Sequence, residues 1–87
     1  MATQESVEHF LRECEETLEA ANEQFDDGNL QEHYNDDVYI HAQQRLETTL
    51  IELEKLKNSA DSQQRYQLDR MRMRLQGIQN DMILLDH

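Results

Sequence analysis

Proline and tryptophan are absent from this chain of 87 residues, which has only two glycines, Gly28 and Gly77, and one cysteine, Cys14. A sheet-rich chain of this size needs a turn signal every ~10 residues. Two glycines without proline do not supply them, so helix is the regular structure that remains. A lone cysteine excludes an intrachain disulfide. No apolar run approaches the ~18 residues of a membrane span, and the N-terminal MATQESVEHF lacks the charged-then-apolar layout of a secretory signal. A single soluble, cytoplasmic domain over residues 1–87 is expected, with no membrane contact.

Positive charge is also scarce. Eight lysines and arginines face nineteen carboxylates, a net charge of −11. The excess is local. Residues 1–40 contain twelve carboxylates and one base, Arg12, whereas residues 41–87 contain seven of each sign. The arginines therefore belong to a balanced half of the chain.

What is present is helical periodicity. Val7, Leu11, Cys14, Leu18, Ala21 and Phe25, with Phe10 alongside, draw one apolar stripe and predict a first helix over about 3–27, with Thr3 as N-cap and Gly28 as stop. In GNLQEHYND, Asn29 with Glu32 fits a capping box, so a short extra turn or a continuing helix is expected there. Asn35 is the preferred cap of a second helix over about 36–58, with Asp36 and Asp37 in its first turn, where the helix dipole favours them. Its inward residues are Tyr39, Ala42, Leu46, Leu50, Leu53 and Leu56. Asp61 followed by Gln64 is another capping box, opening a third helix over about 62–84. Leu68, Met71, Leu75, Ile78, Met82 and Leu85 form its stripe.

Three stripes joined by short connections predict an all-α fold, an antiparallel three-helix bundle, because an amphipathic helix alone has nowhere to bury its apolar face. The alternative is a long helical hairpin that completes its core by dimerising.

The segment RMRMR alternates Arg70, Arg72 and Arg74 with Met71 and Met73. On a helical wheel Met71 lies within the stripe, Arg72 and Arg74 fall roughly 80° to either side of it, and Arg70 roughly 120° away. Arginines at such borders cover core edges with their methylene stems while their charge stays in water. A phosphate-binding track needs surplus positive charge, and here Asp69, Asp81 and an acidic half-chain lie beside it, which argues against nucleic acid as the partner.

Other residues resist a purely structural reading. Met73 falls roughly 180° from the centre of its stripe. Tyr66, Met73, Gly77 and Leu84, spaced by 7, 4 and 7 residues, share that back ridge. Ile40 and Ile51, eleven residues apart, point roughly 140° to 150° off the stripe of the second helix. In an antiparallel hairpin these back faces become approximate neighbours. Single exposed apolar residues are ordinary, but a second apolar surface on a small acidic domain points to association. The candidate interaction surface is thus Ile40, Ile51, Tyr66, Met73, Gly77 and Leu84, with a protein partner or a second copy as occupant.

Reactive chemistry has little support. Cys14 sits in the apolar stripe, where thiols are inert. His9 follows Glu5 and Glu8, and His41 follows Asp37 by one turn, pairings that arise readily on surfaces. No E-x-x-H motif of a bundle metal centre, no EF-hand loop and no Gly-rich phosphate loop occurs. The remaining metal or small-molecule possibility is the cluster His33, Asp36, Asp37 and His41. No catalytic residue, cofactor or metal is expected. The rival to an interaction module is an acidic mimic whose first helix binds a basic protein surface.

The strings QEHYNDDVYIHAQQRLE and DSQQRYQLDRMRMRLQGIQNDMIL resemble small uncharacterised Bacillus proteins of the YtzC type, a domain-of-unknown-function family. The likeness covers most of the chain and is densest over residues 31–47 and 61–84. It implies a cytoplasmic Bacillus protein and transfers no functional residue.

Overall fold

Thr3 starts the first helix as its side chain predicts: the Ser6 amide donates to Thr3 Oγ1 at 3.0 Å, and the Thr3 amide donates to Ser6 Oγ at 3.2 Å. This reciprocal cap satisfies donors that a helix N-terminus otherwise leaves without partners. In this computed structural model, which describes residues 2–30 and 36–85 without the side chains of residues 27–30, 36 and 85, the helices are α1 (Gln4–Leu30), α2 (Asp36–Lys57) and α3 (Ser62–Leu85). Asp61 and Gln64 close the expected box at α3. The Gln64 amide donates to Asp61 Oδ1 at 2.8 Å, and the Asp61 amide donates to Gln64 Oε1 at 3.0 Å.

One expectation about the first connection is corrected. The helix does not stop at Gly28 but runs on to Leu30, and none of the described residues has positive φ. Glycine accepts the left-handed conformation, yet it also accepts the helical one at about 1 kcal/mol relative to alanine. It permits a stop without imposing it. Of the two alternatives for the segment that follows, the helix continues as far as Leu30, so Asn29 lies within α1. The remainder of that segment, with Glu32, His33 and the expected cap Asn35, lies outside the described residues.

The Ala2 amide donates to the Ser59 carbonyl at 2.9 Å, so the start of α1 meets the α2–α3 turn. α1 and α3 therefore run in the same direction, and α2 is antiparallel to both. Each helix packs on the other two. α1 thus closes the core within one chain, so the hairpin that needs a second chain is not the architecture. The buried interior holds Val7, Cys14, Leu18, Tyr39, Leu46, Leu53, Leu68, Leu75 and Met82, with Phe10, Leu11, Phe25, Ala42, Leu50 and Leu56 packed at its margin. These are the stripe residues. Thr17, Thr49 and Gln64 join them as buried polar side chains. Thr17 is accommodated because its hydroxyl donates to the Glu13 carbonyl, one turn back, at 3.0 Å.

Candidate interaction surface

The arginines of α3 show how that helix is turned within the bundle. Arg74 reaches α1, where its guanidinium makes two hydrogen bonds to the Glu15 carboxylate, at 2.5 and 3.1 Å. Arg72 reaches the other way, with Nε 3.9 Å from Glu54 on α2 and 3.5 Å from Asp69 on its own helix. Lys57 Nζ adds a second α2–α3 bridge at 2.6 Å from Asp69. Arg70 contacts neither helix in this way; it lies over the Tyr66 ring at 5.8 Å from its centroid. The alternation RMRMR is thus a border on both sides of one helix. Met73, about 100° from each flanking arginine, points away from α1 and α2 alike.

The back ridge of α3 is open to solvent. Tyr66, Met73 and Leu84 are 62%, 68% and 71% exposed, and nothing lies within 4 Å of a Cβ built on Gly77. Ile40 and Ile51 on α2 are also exposed, as are Val38 and Ile83, which the periodicity did not single out. The structure does not join these residues into one patch. Between Ile51 and Met73 lies the α2–α3 seam, bridged by Lys57–Asp69 and Arg72–Glu54. At the other end Tyr39 meets Met82, which brings Ile40 to the same end of the helix pair as Ile83 and Leu84.

Tyr66 also lines an open groove of about 410 Å³ between α1 and α3, with Leu11, Arg12, Gln67, Arg70 and Met71. Gln67 Oε1 is buried in this region without a hydrogen-bond partner. Of the guanidiniums there, that of Arg74 is held by Glu15 and that of Arg70 by the Tyr66 ring. The Glu15 carboxylate thus offsets one of the three guanidiniums that line the groove, those of Arg12, Arg70 and Arg74.

Charged partners move few groups from their ordinary titration. Hydrogen bonding to Arg74 holds the Glu15 carboxyl below its usual value, and hydrogen bonding to Lys57 does the same for Asp69, aided by the charges of Lys57, Arg72 and Arg65. Burial, reinforced by Glu13, Glu15 and Glu52, pushes the Cys14 thiol up to about 12. At neutral pH that sulfur is a protonated, enclosed core atom and a poor nucleophile. Among the described residues, no group of three or more His, Cys, Asp or Glu is placed to hold a metal ion, and no helix is long and apolar enough to cross a membrane. The cluster considered from sequence lies partly outside that set, since His33 and the side chain of Asp36 are not described.

Residues 1–84 match the family model described as "Protein of unknown function (DUF2524)". The chain is 48% identical over 84 residues to the uncharacterized protein YtzC of Bacillus subtilis (strain 168), an alignment that covers 97% of this chain and 93% of that protein. No solved structure matches.

Proposed function

We propose, for a chain that belongs to the DUF2524 family of proteins of unknown function, that it is a non-enzymatic helical module that binds protein through the outward ridge of α3. One observation carries this reading. Tyr66, Met73 and Leu84 present large apolar side chains on one side of a helix whose opposite side already fills the core. Water gains nothing from that alignment, whereas a partner helix would bury it at about 25 cal/mol per Å² of apolar surface. Nucleic acid has no part in it, because Arg72 and Arg74 are engaged with carboxylates of the same chain.

A photo-crosslinking residue placed at position 73 in cells tests the reading against the same residue at Thr48, an exposed position of α2. Protein adducts of any kind from 73 and none from 48 are expected. An absence of adducts from 73, or equal yields from both, rejects the ridge as a binding surface.

A second reading draws on α1, where Glu5, Glu8, Glu16, Glu19, Glu23 and Asp26 are all exposed. Such a helix could occupy a basic site on another protein, and its binding would weaken steeply with salt. Reversal of Glu16, Glu19 and Glu23 to lysine discriminates: captured partners that persist through this change exclude acidic mimicry.

A further inference from the structure

We infer that the partner of the α3 ridge is a second copy of this chain, docked antiparallel through α3 about a two-fold axis near residue 75. The inference rests on the proposed role of that ridge and goes further by naming its occupant and register. Its basis is the symmetry of the spacing. In an antiparallel helix pair with a two-fold axis at position 75, residue 66 of one copy faces residue 84 of the other, and 73 faces 77. The ridge consists of those four positions: Tyr66, Met73, Gly77 and Leu84. Tyr66 therefore meets Leu84 of the second copy, and Met73 meets Gly77, each contact occurring twice.

The sizes are complementary. Gly77 has open space where a Cβ would stand, so the backbone is accessible to the thioether of Met73 at the one ridge position that lacks a side chain. A helix glycine is less stable than alanine at the same place, and nothing in the monomer requires it. Close helix approach does.

The charges agree as well. Arg70 and Asp81, eleven residues apart, lie within roughly 20° of each other on the wheel, on one edge of the ridge. The two-fold axis sets Arg70 of one copy beside Asp81 of the other, offset by about one residue, or ~1.5 Å of rise. This gives two opposite-charge pairs flanking an apolar strip, an isologous arrangement. The overall charge selects the same helix. α1 carries nine carboxylates against Arg12, and α2 five against three bases, whereas α3 carries four arginines against Asp69 and Asp81. α3 is the helix that two copies can bring together without setting acid against acid. One helix pair buries less than a standard interface, so the dimer is weak, with a Kd of ~10 µM to ~1 mM.

Sedimentation equilibrium of the full chain up to ~2 mM tests this. A monomer–dimer equilibrium is expected, weakened at least tenfold by Met73→Glu. Arg70→Glu and Asp81→Arg should each weaken it several-fold, and the double variant Arg70→Glu/Asp81→Arg should restore it. All three positions are exposed on α3, and circular dichroism melts verify that the variants fold. A strict monomer overturns the inference. So does a dimer indifferent to Met73→Glu, or one that the charge swap fails to restore, which excludes this register. Crosslinks from position 73 to a different protein, alongside a strict monomer, would defeat the dimer and leave the binding role of the ridge standing.

Discussion

The Tyr39 hydroxyl donates a buried hydrogen bond of 2.7 Å to the carbonyl of Met82, forty-three residues later. Met82 is among the last four residues of α3, whose carbonyls have no intrahelical donor. A side chain from the first turn of α2 thus caps the end of α3 and pins the two helices at that end of the bundle. Tyr39→Phe keeps the ring and leaves the carbonyl buried without this donor. A loss of about 1–2 kcal/mol is expected from urea unfolding, with an unchanged slope.

The other end is tied by Gln64. Besides closing the cap with Asp61, its Nε2 donates to the Ala2 carbonyl and to Gln4 Oε1, each at 3.4 Å, from a buried position. Gln64→Ala removes half of a capping box and the link to the start of α1, whereas Asp61→Ala removes only a cap. The alanine at 61 should cost about 1 kcal/mol, and that at 64 more. Equal losses in urea melts would show that the link to α1 adds nothing.

Stability should depend on pH through two ion pairs. Glu15 and Asp69 both titrate below their ordinary values of 4.5 and 3.8, the first held by Arg74 and the second by Lys57. A carboxyl with a depressed folded-state pKa stabilises above its unfolded value and loses that contribution as pH falls through the folded one. The stability gap between the native chain and Arg74→Met should therefore narrow as pH is lowered from ~6 to ~3. The gap at neutral pH should be small, about 0.2–1 kcal/mol, because both partners are half exposed and screened. Lys57→Met should show the same convergence. Gaps that widen on acidification would contradict the assignment.

Cys14 should be silent to thiol reagents. It is fully buried and its thiol is pushed up to about 12. Labelling by a disulfide reagent at neutral pH should be negligible in the folded protein and complete in denaturant. Fast labelling under native conditions would show that the α1 stripe opens locally.

Gly77 offers a test within the monomer. With open space around its Cβ position, Gly77→Ala should stabilise the folded chain by about 1 kcal/mol. For a domain of this size that raises Tm by about 4–8 °C. The same change should loosen self-association through α3, so stability and dimerisation would move in opposite directions.

Much of this fold is legible in the residues. The stripes running through Val7 and Cys14, Tyr39 and Leu46, and Leu68 and Leu75 mark the core, because burial on a helix recurs with the helical repeat. The caps at Thr3 and Asp61 are readable for a similar reason, since each is a contact across three residues. Gly28 misleads because a single glycine is compatible with both outcomes. Thr17, Thr49 and Gln64 are buried despite their polarity, which depends on neighbouring helices as well as on their own periodicity. Ile83 likewise sits at a wheel angle that only its surroundings turn into exposure.

The sequence by itself determined the three helices, two of their caps, the face that each buries and the outward ridge of α3, because all of these depend on separations of a few residues along one chain. Only the tertiary structure decided which partner each arginine meets, Glu15 for Arg74 and Glu54 for Arg72. It also decided that Ile51 and Met73 lie on opposite sides of a charged seam. Those outcomes depend on how the helices rotate about one another, and that rotation is set by packing across the core, on which a wheel drawn for one helix carries no information.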